Sequence, residues 1–282
     1  MTNLETLVAE ILARPVPPEI RAMADHVRGL HSGVMAMLAY GSCLRGTATT
    51  DSLIDLYVLT ADYSGVSGNP LSRLGCRLAP PNVYYAEWDF EGRSTRAKYA
   101  VMPLALFARW MKAPNPYFWA RFAQPSALLF SRDDRAAAAI AQAVRTMYGH
   151  ALALAPDDAP LTVWAKGFAA TYGTELRAEA SVNRAASLVA AHEDYYRNAA
   201  TLMKDIVPVR ANWRARRAAG KLWSLARLIK AGFTFVGGAD YLAWKIERHS
   251  GHRIELTDWQ RRHPVLAGFM LLPYLLRRGA VR

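Results

Sequence analysis

Apolar and polar positions alternate in two textures along this chain. The opening stretch "MTNLETLVAEILARP" reads as a short amphipathic helix, and residues 1–30 as a whole look helical, with the first helix ending near Pro15. From Val34 the pattern changes. "VMAMLAY" and "LIDLYVL" are short apolar runs bounded by Gly, Ser and Thr, which predicts buried strands. The polar segment Gly41 to Ser52 lies between them as a loop. "NVYYAEWDF" alternates and is rich in aromatics, a third strand. "RAKYAVMPLALFARWM" begins as a strand and turns helical, with Pro103 in the first helical turn.

After Asp133 the texture becomes helical. "DDRAAAAIAQAVRTMYGHALALA" is Ala-rich with acids at its start, and "PLTVWAKGFAATYGTELRAE" and "AASLVAAHEDYYRNAATLMKDIV" continue in that style. The last quarter predicts further helices broken at Gly220, Gly232 and "VGGAD". The pattern therefore predicts an α/β (α+β) architecture: a mixed sheet with helices over residues 1–140, then a mainly helical module over residues 141–282.

Composition narrows the class. At 52% apolar and 21% charged, the 282 residues can bury real cores, and disorder is not expected. Cys43 and Cys76 are too few for a disulfide framework, which points to a reducing, cytoplasmic setting. The start carries Glu5 and Glu10 and lacks the basic, apolar sequence of a targeting peptide. No stretch is apolar for the ~18 residues that a spanning helix needs.

Charge changes the picture more. Of the net +12, Pro208 to Arg282 holds 15 Lys/Arg against 4 Asp/Glu, a net of +11. The remaining residues hold 20 basic and 19 acidic side chains, a net of +1. Such a segment seeks an anionic partner: nucleic acid, acidic lipid or a phosphorylated substrate. It carries no recognisable nucleic-acid motif, so no specific nucleic acid is expected. The tail "PVLAGFMLLPYLL" followed by Arg277 and Arg278 is too short to span a bilayer and fits an interfacial anchor.

The candidate chemistry lies in "AYGSCLRGTATTDSLIDLYVLT". Gly41 lets backbone approach a triphosphate, and Ser42 offers a hydroxyl to its oxygens. Asp55, thirteen residues after Ser42, stands on the next strand where it could hold Mg²⁺ against those phosphates. This is the arrangement of a nucleotidyltransferase. Two acids in D-x-D or D-x-E spacing usually share the strand face, but here Leu53 takes the first position. Glu87 and Asp89 match in parity on the third strand, so a carboxylate there could face Asp55.

The set "AYGSCLRG", "LIDLYVL", "PPNVYY", "AKYAVMPLALFARW", "FAATYGTELR" and "KAGFTFVGG" resembles, in order, the mitochondrial-type phosphatidate cytidylyltransferases, or peripheral CDP-diacylglycerol synthases. The resemblance spans Ala39 to Gly238 and makes Leu53 an expected apolar residue. It departs from the family pattern at Cys43 and Ala100, both usually Gly, and at Glu175, usually Asp.

The resemblance implies transfer of CMP from CTP to phosphatidate, giving CDP-diacylglycerol and pyrophosphate with Mg²⁺, on the inner face of an anionic membrane. It assigns Asp55 and Glu175 to metal and catalysis, and Gly41, Ser42, Lys98 and Tyr99 to the nucleotide. Its matching Arg177 and Lys230, together with Arg227 of the basic quarter, are candidates to receive the phosphatidate head. Two other readings fit the residues: a nucleotidyltransferase acting on RNA or a soluble acceptor, and an inactive module of the same fold kept at a membrane.

Overall fold

A computed structural model describes residues 3–44, 53–175, 181–235, 237–250 and 256–262. The N-terminal helices are α1 (Leu4–Leu12) and α2 (Pro18–Gly29). Asn3 caps α1 by accepting from the Thr6 N–H, and Pro18 opens α2. They lead into β1 (Val34–Tyr40) and β2 (Leu53–Thr60), joined through a single 3₁₀ turn at Ser42–Leu44 and a segment outside the described residues. Then come α3 (Pro70–Leu78), β3 (Asn82–Phe90), β4 (Arg93–Pro103), α4 (Leu104–Trp110), α5 (Trp119–Phe122) and β5 (Ala127–Ser131). The remaining elements are helices: α6 (Arg135–Leu152), α7 (Pro160–Tyr172), α8 (Ser181–Ala190), α9 (Glu193–Leu202), α10 (Trp213–Thr234), α11 (Gly238–Ser250) and α12 (Asp258–Arg262).

The five strands form one mixed sheet in the order β3-β4-β2-β1-β5. Only β2 and β4 run parallel, and the other neighbours are antiparallel. The two central strands are nearly continuous apolar runs because both faces are covered. One face packs on α2, where His31 and the Tyr84 and Tyr99 rings meet edge-on or stacked. The other presents Tyr57 to an aromatic cluster from α4 and α5 that contains Phe107, Phe118 and Phe122. α6 backs that cluster and packs on α1, α5 and α7. A continuous apolar core runs from Leu4 to Met203, and the boundary expected near residue 140 falls inside α6.

The α/β mixed sheet followed by helices is thus as predicted. The four predicted strands stand at β1, β2, β3 and, at the start of the 96–111 run, β4, while β5 carried no strand prediction. Three details differ. Pro103 is the last residue of β4 and the N-cap of α4, extended at ψ 140°, so it lies before the first turn. The run 185–207 divides at His192, whose ψ of 39° separates α8 from α9. α10 passes unbroken through Gly220 and Gly232. Gly220 is retained there for contact: a Cβ would lie 2.4 Å from the Thr174 carbonyl oxygen. No helix among the described residues is long and apolar enough to cross a membrane.

Candidate functional site

Strand register determines what meets Asp55. Its cross-strand partners are Tyr40 on β1 and Lys98 on β4, and Lys98 in turn is level with Tyr85 on β3. Residues level in register point to the same face. The Lys98 ammonium accordingly lies 3.4 Å from Asp55 Oδ1, an ion pair with both side chains partly exposed. That distance is ionic contact without a hydrogen bond, and Oδ1 is buried with no hydrogen-bond partner. Directly after β1, Gly41 turns with φ +85°. A Cβ at Gly41 would sit 3.3 Å from Asp55 Oδ2, so the turn lies tightly over the carboxylate.

The same face continues past Tyr57, two residues along β2 from Asp55. Tyr40 and Tyr57 meet edge to face at 5.3 Å. Arg121 lies over the Tyr40 and Tyr117 rings at 5.4 and 4.6 Å and donates to the Tyr40 hydroxyl at 3.4 Å. Arg227, from α10, stacks on Tyr117 at 3.8 Å and donates through Nε to the Pro80 carbonyl. The Tyr57 hydroxyl and Arg227 Nη2 are buried with no hydrogen-bond partner among the described residues. Three unfilled polar atoms on one face require an explanation, because such groups are rare in folded proteins.

Electrostatics at this end are cationic. Burial opposes the Arg121 charge, but the Tyr117, Tyr40 and Tyr57 hydroxyls and the Glu175 carboxylate outweigh it and push its pKa above the usual range. Burial pushes Arg227 down and Tyr57 up, so the Tyr57 phenol stays a neutral donor. Glu175 acts on Tyr57, Arg121 and Arg227 alike, which places it within their electrostatic reach. Beyond Arg227 a cleft of about 780 Å³ opens between Trp110 and Trp223. Arg109, Lys112 and Arg216 stand in its walls, and no acid does.

At the other end of the face, Tyr85 donates to Glu87 at 2.6 Å and Arg96 pairs with Glu87 at 3.4 Å. Trp244 of α11 lies over Arg96. This resolves the expectation for Glu87 and Asp89. Glu87 is level with Arg96 rather than Lys98, one strand further from β2, and its charge is held by Arg96 and Tyr85. Asp89 lies at the β3–β4 turn and accepts from the Gly92 N–H.

Of the other predicted residues, the structure brings Gly41, Asp55 and Lys98 together, and Arg227 and Glu175 both act electrostatically on Tyr57. Tyr99 is not with them. It follows Lys98 on β4, so it points to the opposite face, where it is 4% exposed against Tyr84 and His31. Lys230 is directed to protein carbonyls. It donates to Ala79 O at 2.7 Å, Pro81 O at 2.5 Å and Asn82 Oδ1 at 3.0 Å, and burial pushes its pKa down to about 8. Ser42 opens the 3₁₀ turn after Gly41. Arg177 lies outside the described residues. Cys43 is 2% exposed and donates its thiol to the Tyr40 carbonyl, so it packs under the turn. Among the described residues, no group of three or more His, Cys, Asp or Glu is placed to hold a metal ion.

Tyr117 and Arg121 lie outside every motif, and Tyr40 and Tyr57, though inside "AYGSCLRG" and "LIDLYVL", carried no assigned role. The signal present was parity: Tyr57 is two residues from Asp55 on one strand. Nothing in "YFWARF" points to Arg121.

No family model matches the chain, and no curated protein matches it. A solved structure described as a nucleotidyltransferase-like protein from Exiguobacterium sibiricum is similar at 13% identity and a TM-score of 0.29. The alignment covers 93% of this chain and 91% of that one.

Proposed function

We propose that the chain is a nucleotidyltransferase whose reacting phosphates lie over Asp55, and that it transfers CMP from CTP to phosphatidate. The observation that supports this reading is the Gly41–Asp55 contact: a turn able to admit a phosphate chain, closed over a carboxylate whose Oδ1 lacks a hydrogen bond. Lys98 supplies a cation beside it. The acceptor is inferred from the ordered motifs, the +11 of the last quarter, and the basic cleft that leads to Arg227.

The implied Mg²⁺ suits this donor set in its simplest mode, one carboxylate together with substrate phosphates. Asp55, with its unfilled oxygen, would hold it. When bound, the ion screens the triphosphate charge. Glu175 lies within electrostatic reach of Arg121 and Arg227 and favours the charged form of both guanidinium groups. The phosphatidate phosphomonoester has a second pKa of about 6, so it arrives mostly ionised and needs no dedicated base. The chain's own residues then bring two polyanions together: Lys98 on the nucleotide side, and Arg121 and Arg227 on the acceptor side.

The test is incubation of the full chain with radiolabelled CTP, Mg²⁺ and phosphatidate vesicles. CDP-diacylglycerol is the expected product, lost at least about a hundredfold in Asp55→Asn with the unfolding midpoint retained. No product beside an active control enzyme overturns the reading. A non-catalytic module is the second reading, favoured by Lys98 resting on Asp55 and by the lack of a carboxylate trio among the described residues. It predicts CTP binding indifferent to Mg²⁺ and to Asp55→Asn.

A further inference from the structure

Helix α10 has two faces of opposite use. Arg216, Gly220, Trp223, Arg227, Lys230 and Thr234 recur at helical spacing and turn inward, onto His150, Thr174, Trp110, Tyr117, the Pro81 carbonyl and α3. The outward side should then be polar, and from Leu222 onward it is not. Leu222, Leu225, Ile229 and Phe233 are exposed, Leu222 at 68% and Phe233 at 82%. Leu228 beside them is 67% exposed.

α3 repeats the anomaly. It buries Ser72 and Cys76 and exposes Leu71, Leu74 and Leu78, at spacing i, i+3, i+7, with Leu71 at 76%. The two helices touch where a Cβ at Gly75 would lie 3.3 Å from Lys230 Cδ and 3.5 Å from Thr234 Cγ2. Leu71, Leu74 and Leu78 are each one turn or less from Gly75, and Phe233 precedes Thr234. The two apolar stripes therefore border one contact. Exposed apolar area gathered in this way marks an interaction surface.

Its charge selects the partner. Neither α3 nor α10 carries an acid, and on α10 Arg214 and Lys221 stand in line with Leu225 on the exposed side. Apolar side chains with a cationic border, on helices lying along the protein surface, match the acyl boundary and anionic headgroups of a bilayer. We propose that α3 and the outer face of α10 form the surface by which this protein docks on an anionic membrane. This rests on the proposed function for the lipid nature of the acceptor. It adds a docking face distinct from the tail starting at Pro264 on which the sequence placed the anchor, which lies outside the described residues.

The test is cosedimentation of the full chain, without CTP, with mixed phosphatidylglycerol–phosphatidylcholine vesicles and with phosphatidylcholine alone. Binding to the anionic vesicles is expected, and about tenfold weaker binding in Leu74→Glu/Leu225→Glu/Ile229→Glu. An environment-sensitive fluorophore at Leu225→Cys should shift to the blue only when anionic vesicles are added. That reading holds even if the triple variant does not fold. Wild-type protein that stays in solution, or a folded triple variant that binds equally well, overturns the proposal. A probe blue-shifted before vesicles are added also overturns it, because a second copy or residues 263–282 then cover the face. Docking is read without turnover, so it can fail while CDP-diacylglycerol is still made, and it can succeed where none is made.

Discussion

At the scale of single residues, the site depends on what Gly41 lacks. Its φ of +85° lies in the region that L-residues avoid, and its missing Cβ leaves room for Asp55 Oδ2. Gly41→Ala should therefore cost about 1–2 kcal/mol from backbone strain, read as a lower urea midpoint. It should reduce nucleotidyl transfer more than the stability loss explains, because the carboxylate must move. Equal stability in the variant would show that the turn is not under this constraint. Asp55 and Gly41 were legible because a lone acid on an apolar strand and a glycine after a strand are local anomalies. Arg121 was not, because its meaning arises from Tyr40 and Tyr117, which the chain brings to it from elsewhere. Tyr99, grouped with Lys98 in the sequence, points away from it for a physical reason too. A motif read along the chain treats neighbours as companions, whereas a strand sends them to opposite faces.

At the scale of elements, α10 is the clearest lesson. Glycine in a helix interior is unfavourable by about 1 kcal/mol relative to Ala, so Gly220 reads locally as a break. Tertiary contact reverses that meaning: Gly220 is the point of closest approach to Thr174. Gly220→Ala should destabilise by about 1–3 kcal/mol despite its better helix propensity, and a stabilised variant would refute the contact. β1 to β4, by contrast, were visible as apolar or alternating runs, while the short β5 and the order of the strands in the sheet were not, since pairing is non-local.

The same helix predicts a pH dependence. His150 on α6 has Nδ1 2.7 Å from the Val209 carbonyl, so Nδ1 carries the proton and donates. Its Nε2 then accepts from Arg216 at 3.0 Å. Burial, with Arg216 contributing, lowers the ring's pKa in the folded chain. In the unfolded chain it titrates near its ordinary value of about 6.5. Below that pH the unfolded state binds the extra proton first, so stability falls as pH drops and is fully present above it. The slope approaches about 1.4 kcal/mol per pH unit for this ring. His150→Gln should flatten the decline in unfolding free energy between pH 6.5 and 5, and an unchanged slope would exclude the ring as its source.

At the scale of the whole molecule, a net charge read from sequence does not say where the charge works. The cations of α10, part of the basic last quarter, divide in the fold into two populations. Arg216, Arg227 and Lys230 are drawn inward, the last onto two carbonyls and the Asn82 side-chain oxygen. Arg214 and Lys221 stay exposed beside apolar side chains of α10. These populations should separate under mutation. Lys230→Met leaves three acceptors without their donor, which costs about 1–3 kcal/mol. It should lower the unfolding midpoint and leave vesicle affinity of the folded protein unchanged. Arg214→Ala/Lys221→Ala should do the reverse, weakening binding to anionic vesicles with stability kept. The effect of the pair should fade as salt shortens the Debye length from about 10 Å at 0.1 M to about 3 Å at 1 M. If Lys230→Met weakened vesicle binding while the exposed pair left it intact, the inward lysine would be the lipid contact, and the division of charge argued from the fold would be wrong.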